Sequence, residues 1–192
     1  TGIDMVLTNI KYGARYIEID IIQNKYDQLI VSYGIKEGNW VLTMNQIDLD
    51  SFCKQLGKKM FNKDYFINDK DPLIIYLNIQ VPKNQMNTIY QYFYQNFKNH
   101  LLKEDYNVLG DKNVLDLPLE KLFKKVIFIC QGKIADTDMS KLANLKLGNR
   151  VKRITYDELK QTDENKSIGF NKNNLTIVEQ NFSIKCLNAN PR

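Results

Sequence analysis

Apolar side chains recur at helical spacing at Ile3, Val6, Leu7 and Ile10, which predicts a helix over residues 3–12 stopped by Gly13. The isoleucine-rich run that follows predicts a strand over 14–22. After a polar turn at residues 24–28, the run from Leu29 to Tyr33 predicts a second, shorter strand ended by Gly34. Asp48 is a candidate cap for a helix over 48–61, with Leu49, Phe52, Cys53, Leu56 and Met60 on one face. Pro72 and Pro82 bracket the continuous apolar run 73–79, the pattern of a strand covered on both sides. Met86, Ile89, Phe93, Phe97 and Leu101 predict a long helix over 84–102. A short helix from Pro118 leads into a strand over 125–130. Residues 139–146 and 156–160 are weaker helical pieces, and residues 182–187 form a last strand.

Buried strands alternating with helices imply parallel strands with helices outside, hence an α/β fold. Neither a G-x-G-x-x-G turn nor a P-loop is present, so nothing points to a nucleotide-binding open sheet. In a (β/α) barrel, function collects at the C-terminal ends of the strands. Those ends are Glu18 and Asp20, Tyr33, Asn78, Cys130 with Gln131, and Asn188.

Composition narrows the function classes. At 192 residues and 43% apolar content, the chain has enough material for one large globular core. The net charge of +5 is spread without a dense basic block, which argues against nucleic acid and leaves room for an anionic lipid surface. Cys53, Cys130 and Cys186 are far apart and odd in number. They read as reduced intracellular thiols buried as small hydrophobes, in a cytoplasmic or peripheral membrane protein. No apolar run reaches membrane-spanning length, and no signal peptide is present. Abundant Lys, Asn, Ile and Tyr suit an AT-rich genome, as in some parasites, protists and large DNA viruses. The chain starts inside a helix and stops just after a strand-like run, which reads as a segment of a longer polypeptide.

Glu18 and Asp20 carry the first candidate chemistry. Strand side chains alternate, so both carboxylates lie on one face. Two such acids repel each other unless a cation or basic partner sits between them. Spacing alone leaves two readings open: an exposed acidic pair or part of a divalent metal site. His100, the single histidine, reads as a surface or capping residue, and Cys130 as a structural thiol. Trp40 falls in the loop region after Gly34, where burial against the barrel is the default. Lys124 and Lys125 read as solvent-facing.

The strand ends resemble the X region of phosphoinositide-specific phospholipase C. The family's G-C-R-x-x-E-L-D appears as Gly13-Ala14-Arg15-Tyr16-Ile17-Glu18-Ile19-Asp20, and its strand ending His-Gly as Tyr33-Gly34. P-V-I-L-S-L-E-N is similar to the run from Pro72 to Ile79, and L-P-S-P-E-x-L-x-x-K-I-L-I to that from Leu117 to Ile129. The later Y region of the family resembles Ile168-Gly169-Phe170 and the run from Ser183 to Pro191. The motifs are collinear, and the Leu117–Ile129 block sets the chain apart from glycerophosphodiester phosphodiesterases.

The resemblance implies a TIM-type (β/α) barrel of the PLC-like phosphodiesterase class, of which this chain covers only part. An X-like region spans about 1–135, and a linker with the start of a Y-like region about 136–192. The family's reaction is calcium-assisted phosphoryl transfer to the inositol 2-hydroxyl, with histidines protonating and stabilising. Glu18 and Asp20 match two calcium ligands, whereas the family's third in-window ligand, a glutamate, is Asn78 here. An amide cannot act as a base near neutrality, and its loss of charge weakens calcium. The family's histidine is Tyr33, a phenol with a pKa of about 10. Phosphate-binding positions fall on Gln131 with Lys133 nearby, on Gly169, and on Ser183. Neither family catalytic position that falls within the chain, at Tyr33 and Asn78, is therefore intact; the family's upstream His-Asn pair falls before Thr1. The resemblance implies a catalytically degenerate barrel: a binding or structural module, in a protein assembly such as a viral particle, or on an inositol headgroup. The alternative is an active calcium-dependent phosphodiesterase acting on phosphatidylinositol lipids.

Overall fold

A computed structural model describes residues 2–32, 34–37, 39–42, 45–65 and 69–179, with backbone alone for 34–42. The chain divides into two units, Thr1–Lys146 and Leu147–Arg192. The expected strand over 182–187, together with Tyr33, Ser183, Cys186 and Asn188, lies outside the described residues.

In the first unit, α1 (Ile3–Lys11) leads to β1 (Tyr16–Gln23). Gly13, with φ of 101°, makes the turn between them. The next strand, β2 (Leu29–Val31), returns antiparallel, with Ile21 opposite Val31. The reason lies in the connection. A few polar residues cannot make the crossover that a parallel neighbour needs, and Asn24 closes the turn by accepting from the Tyr26 and Gln28 amides. The hairpin β3 (Gly34–Glu37) and β4 (Asn39–Leu42) follows, and it was not expected. It carries the Trp40 backbone on a strand rather than in a loop. A two-residue strand, β5 (Ile47–Asp48), then pairs antiparallel with β2.

Asp48 caps α2 (Leu49–Lys59) by accepting from the Ser51 amide at 2.8 Å. The parallel core follows as β6 (Leu73–Gln80), α3 (Met86–Phe97) and, after the short α4 (Leu119–Leu122), β7 (Val126–Gln131). The helix expected over 84–102 is α-helical only over Met86–Phe97, with a 3-10 turn at each end. The piece expected over 139–146 is one turn, α5 (Met139–Leu142), followed by the edge strand β8 (Leu145–Lys146).

The strands form one mixed sheet in the order β5-β2-β1-β6-β7-β8, parallel from β1 to β8. Among the described residues it does not close into a barrel. Its outer face carries the core. Ile17, Ile19 and Ile21, Leu73, Ile75 and Leu77, and Val126, Phe128 and Cys130 pack with the apolar stripes of α1, α2 and α3. Phe128 meets Phe93 edge-on at 5.3 Å and Phe97 at 5.8 Å between ring centroids. Burying each such side chain contributes about 1.5–3 kcal/mol, and this face fixes the strand register.

The second unit is a βααβ arrangement: β9 (Val151–Thr155), α6 (Tyr156–Gln161), α7 (Glu164–Asn171) and β10 (Leu175–Glu179), with β9 and β10 parallel. Of these, only α6 was expected. The two strands are short, and α7 has no apolar stripe for periodicity to detect. Thr155 and Glu158 form a reciprocal capping box at α6, and Arg153 pairs with Glu179 at 2.7 Å across the strands.

Candidate functional site

The inner face of the sheet is set by alternation. Because the outer-face residues are committed to the core, Tyr16, Glu18 and Asp20 of β1 must point the other way, with Ile74, Tyr76 and Asn78 of β6 and Ile127, Ile129 and Gln131 of β7. Parallel register lines these residues up in rows. Asp20 stands opposite Asn78, and Asn78 opposite Gln131. One step back toward the strand starts, Glu18 stands opposite Tyr76, and Tyr76 opposite Ile129. The Asp20, Asn78 and Gln131 row lies at the C-terminal ends of the parallel strands, where a barrel places its chemistry.

Hydrogen bonds tie this face together. Asn78 Nδ2 donates to Asp20 Oδ1 at 2.6 Å. The hydroxyl of Tyr76, fully buried, donates to Gln131 Oε1. The Tyr16 hydroxyl donates to Glu18 Oε2 at 3.4 Å, and Glu18 is exposed. Asp20 and Asn78 are half-buried. The two tyrosines were missed from sequence, although each sits two residues before a candidate ligand on the same strand face.

The expected ligands Glu18, Asp20 and Asn78 therefore share one face, and they offer two carboxylates and one amide. Calcium takes six to eight oxygens, from carboxylates, backbone and amide carbonyls and waters. Here one Asp20 oxygen accepts from the Asn78 amide N–H. Among the described residues, no three His, Cys, Asp or Glu side chains are grouped so as to hold a metal.

The remaining candidates separate. Gln131 is in the row. Gly132 follows it with φ of 130°, and a Cβ there would lie 2.7 Å from the Ile79 carbonyl oxygen. Only glycine fits this close approach. Lys133, exposed, lies beyond that turn. Gly169 is on α7 in the second unit. Cys130 points to the opposite face, fully buried, and burial pushes its thiol up to about 12. His100 lies near the other end of β7, its Nδ1 2.8 Å from the Lys124 carbonyl oxygen and its ring 4.8 Å from that of Phe61. Lys124 pairs with Asp69 at 2.9 Å, and Lys125 donates to the Leu101 carbonyl.

Among the described residues no helix is long and apolar enough to cross a membrane. The sequence pattern of the family described as phosphatidylinositol-specific phospholipase C, X domain, matches residues 1–132. Among solved structures, PLC21 from L. pealei is similar over 94% of this chain and 27% of its own, with a TM-score of 0.67 and 16% identity. PLC21 from S. officinalis is similar over the same shares, with a TM-score of 0.68 and 16% identity. A calcium-dependent phosphoinositol-specific phospholipase C from a Gram-negative Pseudomonas species is similar over 88% of this chain and 82% of its own, with a TM-score of 0.50 and 10% identity. The chain thus spans about a quarter of the PLC21 chains. No curated protein matches it. These likenesses are to PLC-like TIM barrels, and the described sheet is part of such a barrel.

Proposed function

We propose that this chain, which belongs to the phosphatidylinositol-specific phospholipase C X-domain family, is a non-catalytic member that serves as a binding or structural module. The observation that carries this reading is the Asn78–Asp20 hydrogen bond. Where the resemblance implies a third acidic calcium ligand, this chain has an amide that donates to the second ligand. A carboxylate at that position would repel Asp20 and recruit a cation. The amide instead satisfies Asp20 without one.

The row Asp20, Asn78 and Gln131 still presents hydrogen-bonding groups at the strand ends. They suit hydroxyl-rich ligands such as an inositol ring, and Tyr33 and Asn78 stand where the resemblance implies the histidine and glutamate of the cleaving enzymes. Loss of one such group typically costs about 10²–10⁴-fold in rate.

The test is hydrolysis of phosphatidylinositol vesicles with calcium by the purified protein. The expected result is no turnover above buffer. Calcium-dependent hydrolysis that Asp20→Asn abolishes would overturn the proposal and establish the working phosphodiesterase instead.

A further inference from the structure

The N-terminal end of β7 carries a cavity. Its volume is about 420 Å³, and its apolar lining is Leu101, Leu102, Leu117 and Tyr106. Three lysines, Lys103, Lys121 and Lys125, line the same cavity, and no acidic side chain does. Lys125 immediately precedes β7 and Gln131 ends it, so the cavity lies about 20 Å along the strand from the Asp20, Asn78 and Gln131 row.

The lysines are placed for use. Lys125 is half-buried, and its Nζ donates to the Leu101 carbonyl at 3.2 Å, which ties the segment after α3 to the start of β7. Lys103 and Lys121 are exposed. Asp105, the carboxylate two residues beyond Lys103, is bound to Lys112 at 2.8 Å. The volume is in the range of small-molecule pockets, about 300–1,000 Å³.

An apolar lining with an excess of cations selects a ligand with both characters. The leucines gain from covering an alkyl chain. Ammonium groups attract an anionic head as point charges and need no bidentate geometry, so a carboxylate or a phosphate serves. A neutral chain leaves the lysines unmatched, and a bare anion leaves the leucines in water.

We propose that this cavity binds a single-chain anionic amphiphile, with its alkyl chain against Leu101, Leu102 and Leu117 and its head among Lys103, Lys121 and Lys125. The proposal is independent of the strand-end row.

The experiment is calorimetric titration of the protein with decanoate, decyl phosphate, 1-decanol and inorganic phosphate, below any micelle threshold. We expect saturable binding of decanoate or decyl phosphate at least about tenfold tighter than decanol, and none of inorganic phosphate. The tighter of the two anions identifies the head as carboxylate or phosphate. The double variant Lys103→Glu, Lys121→Glu should weaken binding by at least about tenfold with an unchanged melting midpoint, because both side chains are exposed. Leu102→Trp should block binding by filling the cavity. Equal affinity for decanol, an unaffected charge-reversal variant, or no binding of either anion would each overturn the proposal.

Discussion

Asn78 Nδ2 lies 2.6 Å from Asp20 Oδ1 across two parallel strands held in register. The pair joins the end of β1 to the end of β6 by a charge-assisted hydrogen bond, which is stronger than a neutral one. The bond gives the half-buried Asp20 carboxylate a hydrogen-bond partner on the inner face.

An acid at position 78 should favour a cation beside Asp20. In Asn78→Glu the new carboxylate faces Asp20, and the repulsion favours an ion between them. We expect calcium affinity to rise at least about tenfold over the native protein, read by calorimetry. Unchanged affinity would show that Asn78 is not what limits metal binding.

The inner-face network should also contribute to stability. Asp20→Ala leaves the Asn78 amide without its acceptor, at a cost of about 1–3 kcal/mol. Asp20→Asn retains an acceptor and should cost less. Urea midpoints of the two variants measure the difference.

Packing on the outer face should matter more to stability than the inner-face hydrogen bonds. Phe128→Ala opens a cavity beneath Phe93 and Phe97 and should destabilise by about 3–5 kcal/mol. Lys133→Ala, at an exposed site, should stay within about 0.5 kcal/mol. Chemical denaturation of both variants checks the contrast.

The thiols predict a pH dependence. Burial pushes Cys130 up to about 12. Burial, with the charges of Asp50 and Asp48, holds Cys53 well above its ordinary value. An unfolded thiol ionises near about 8.5, so above that pH the unfolded chain releases protons that the folded chain keeps. Stability from this source is complete below about pH 8.5 and declines as pH rises toward the folded values. The urea midpoint should therefore fall between about pH 8 and pH 10.5, and Cys53→Ala should reduce the drop. At about pH 7.5, peptide mapping after alkylation should find Cys53 and Cys130 modified only in the unfolded protein.

At Gly132, alanine would meet the Ile79 carbonyl at 2.7 Å and take a left-handed φ. Gly132→Ala should cost about 1–3 kcal/mol and shift the backbone beyond Gln131. Thermal melting and the amide resonances of Gln131 and Lys133 report the two effects.

The sequence by itself determined the strands that carry the site. Apolar runs marked β6 and β7, the isoleucine-rich stretch after Gly13 marked β1, and two-residue alternation placed Glu18 and Asp20 on one face. Helical periodicity marked α1, α2 and α3, because an apolar stripe records which side is buried. Collinear motifs linked these elements to a phospholipase C-like barrel. Tertiary structure alone decided the rest. The antiparallel return of β2, the β3–β4 hairpin and the β9–β10 pair depend on partners distant in sequence or on connection length, which local hydrophobicity does not encode. The alignment of Asp20, Asn78 and Gln131 depends on inter-strand register, and that register is set by core packing on the opposite face. The hydrogen bond from Asn78 to Asp20 joins residues 58 apart in sequence, and only the pairing of β1 with β6 brings them within reach.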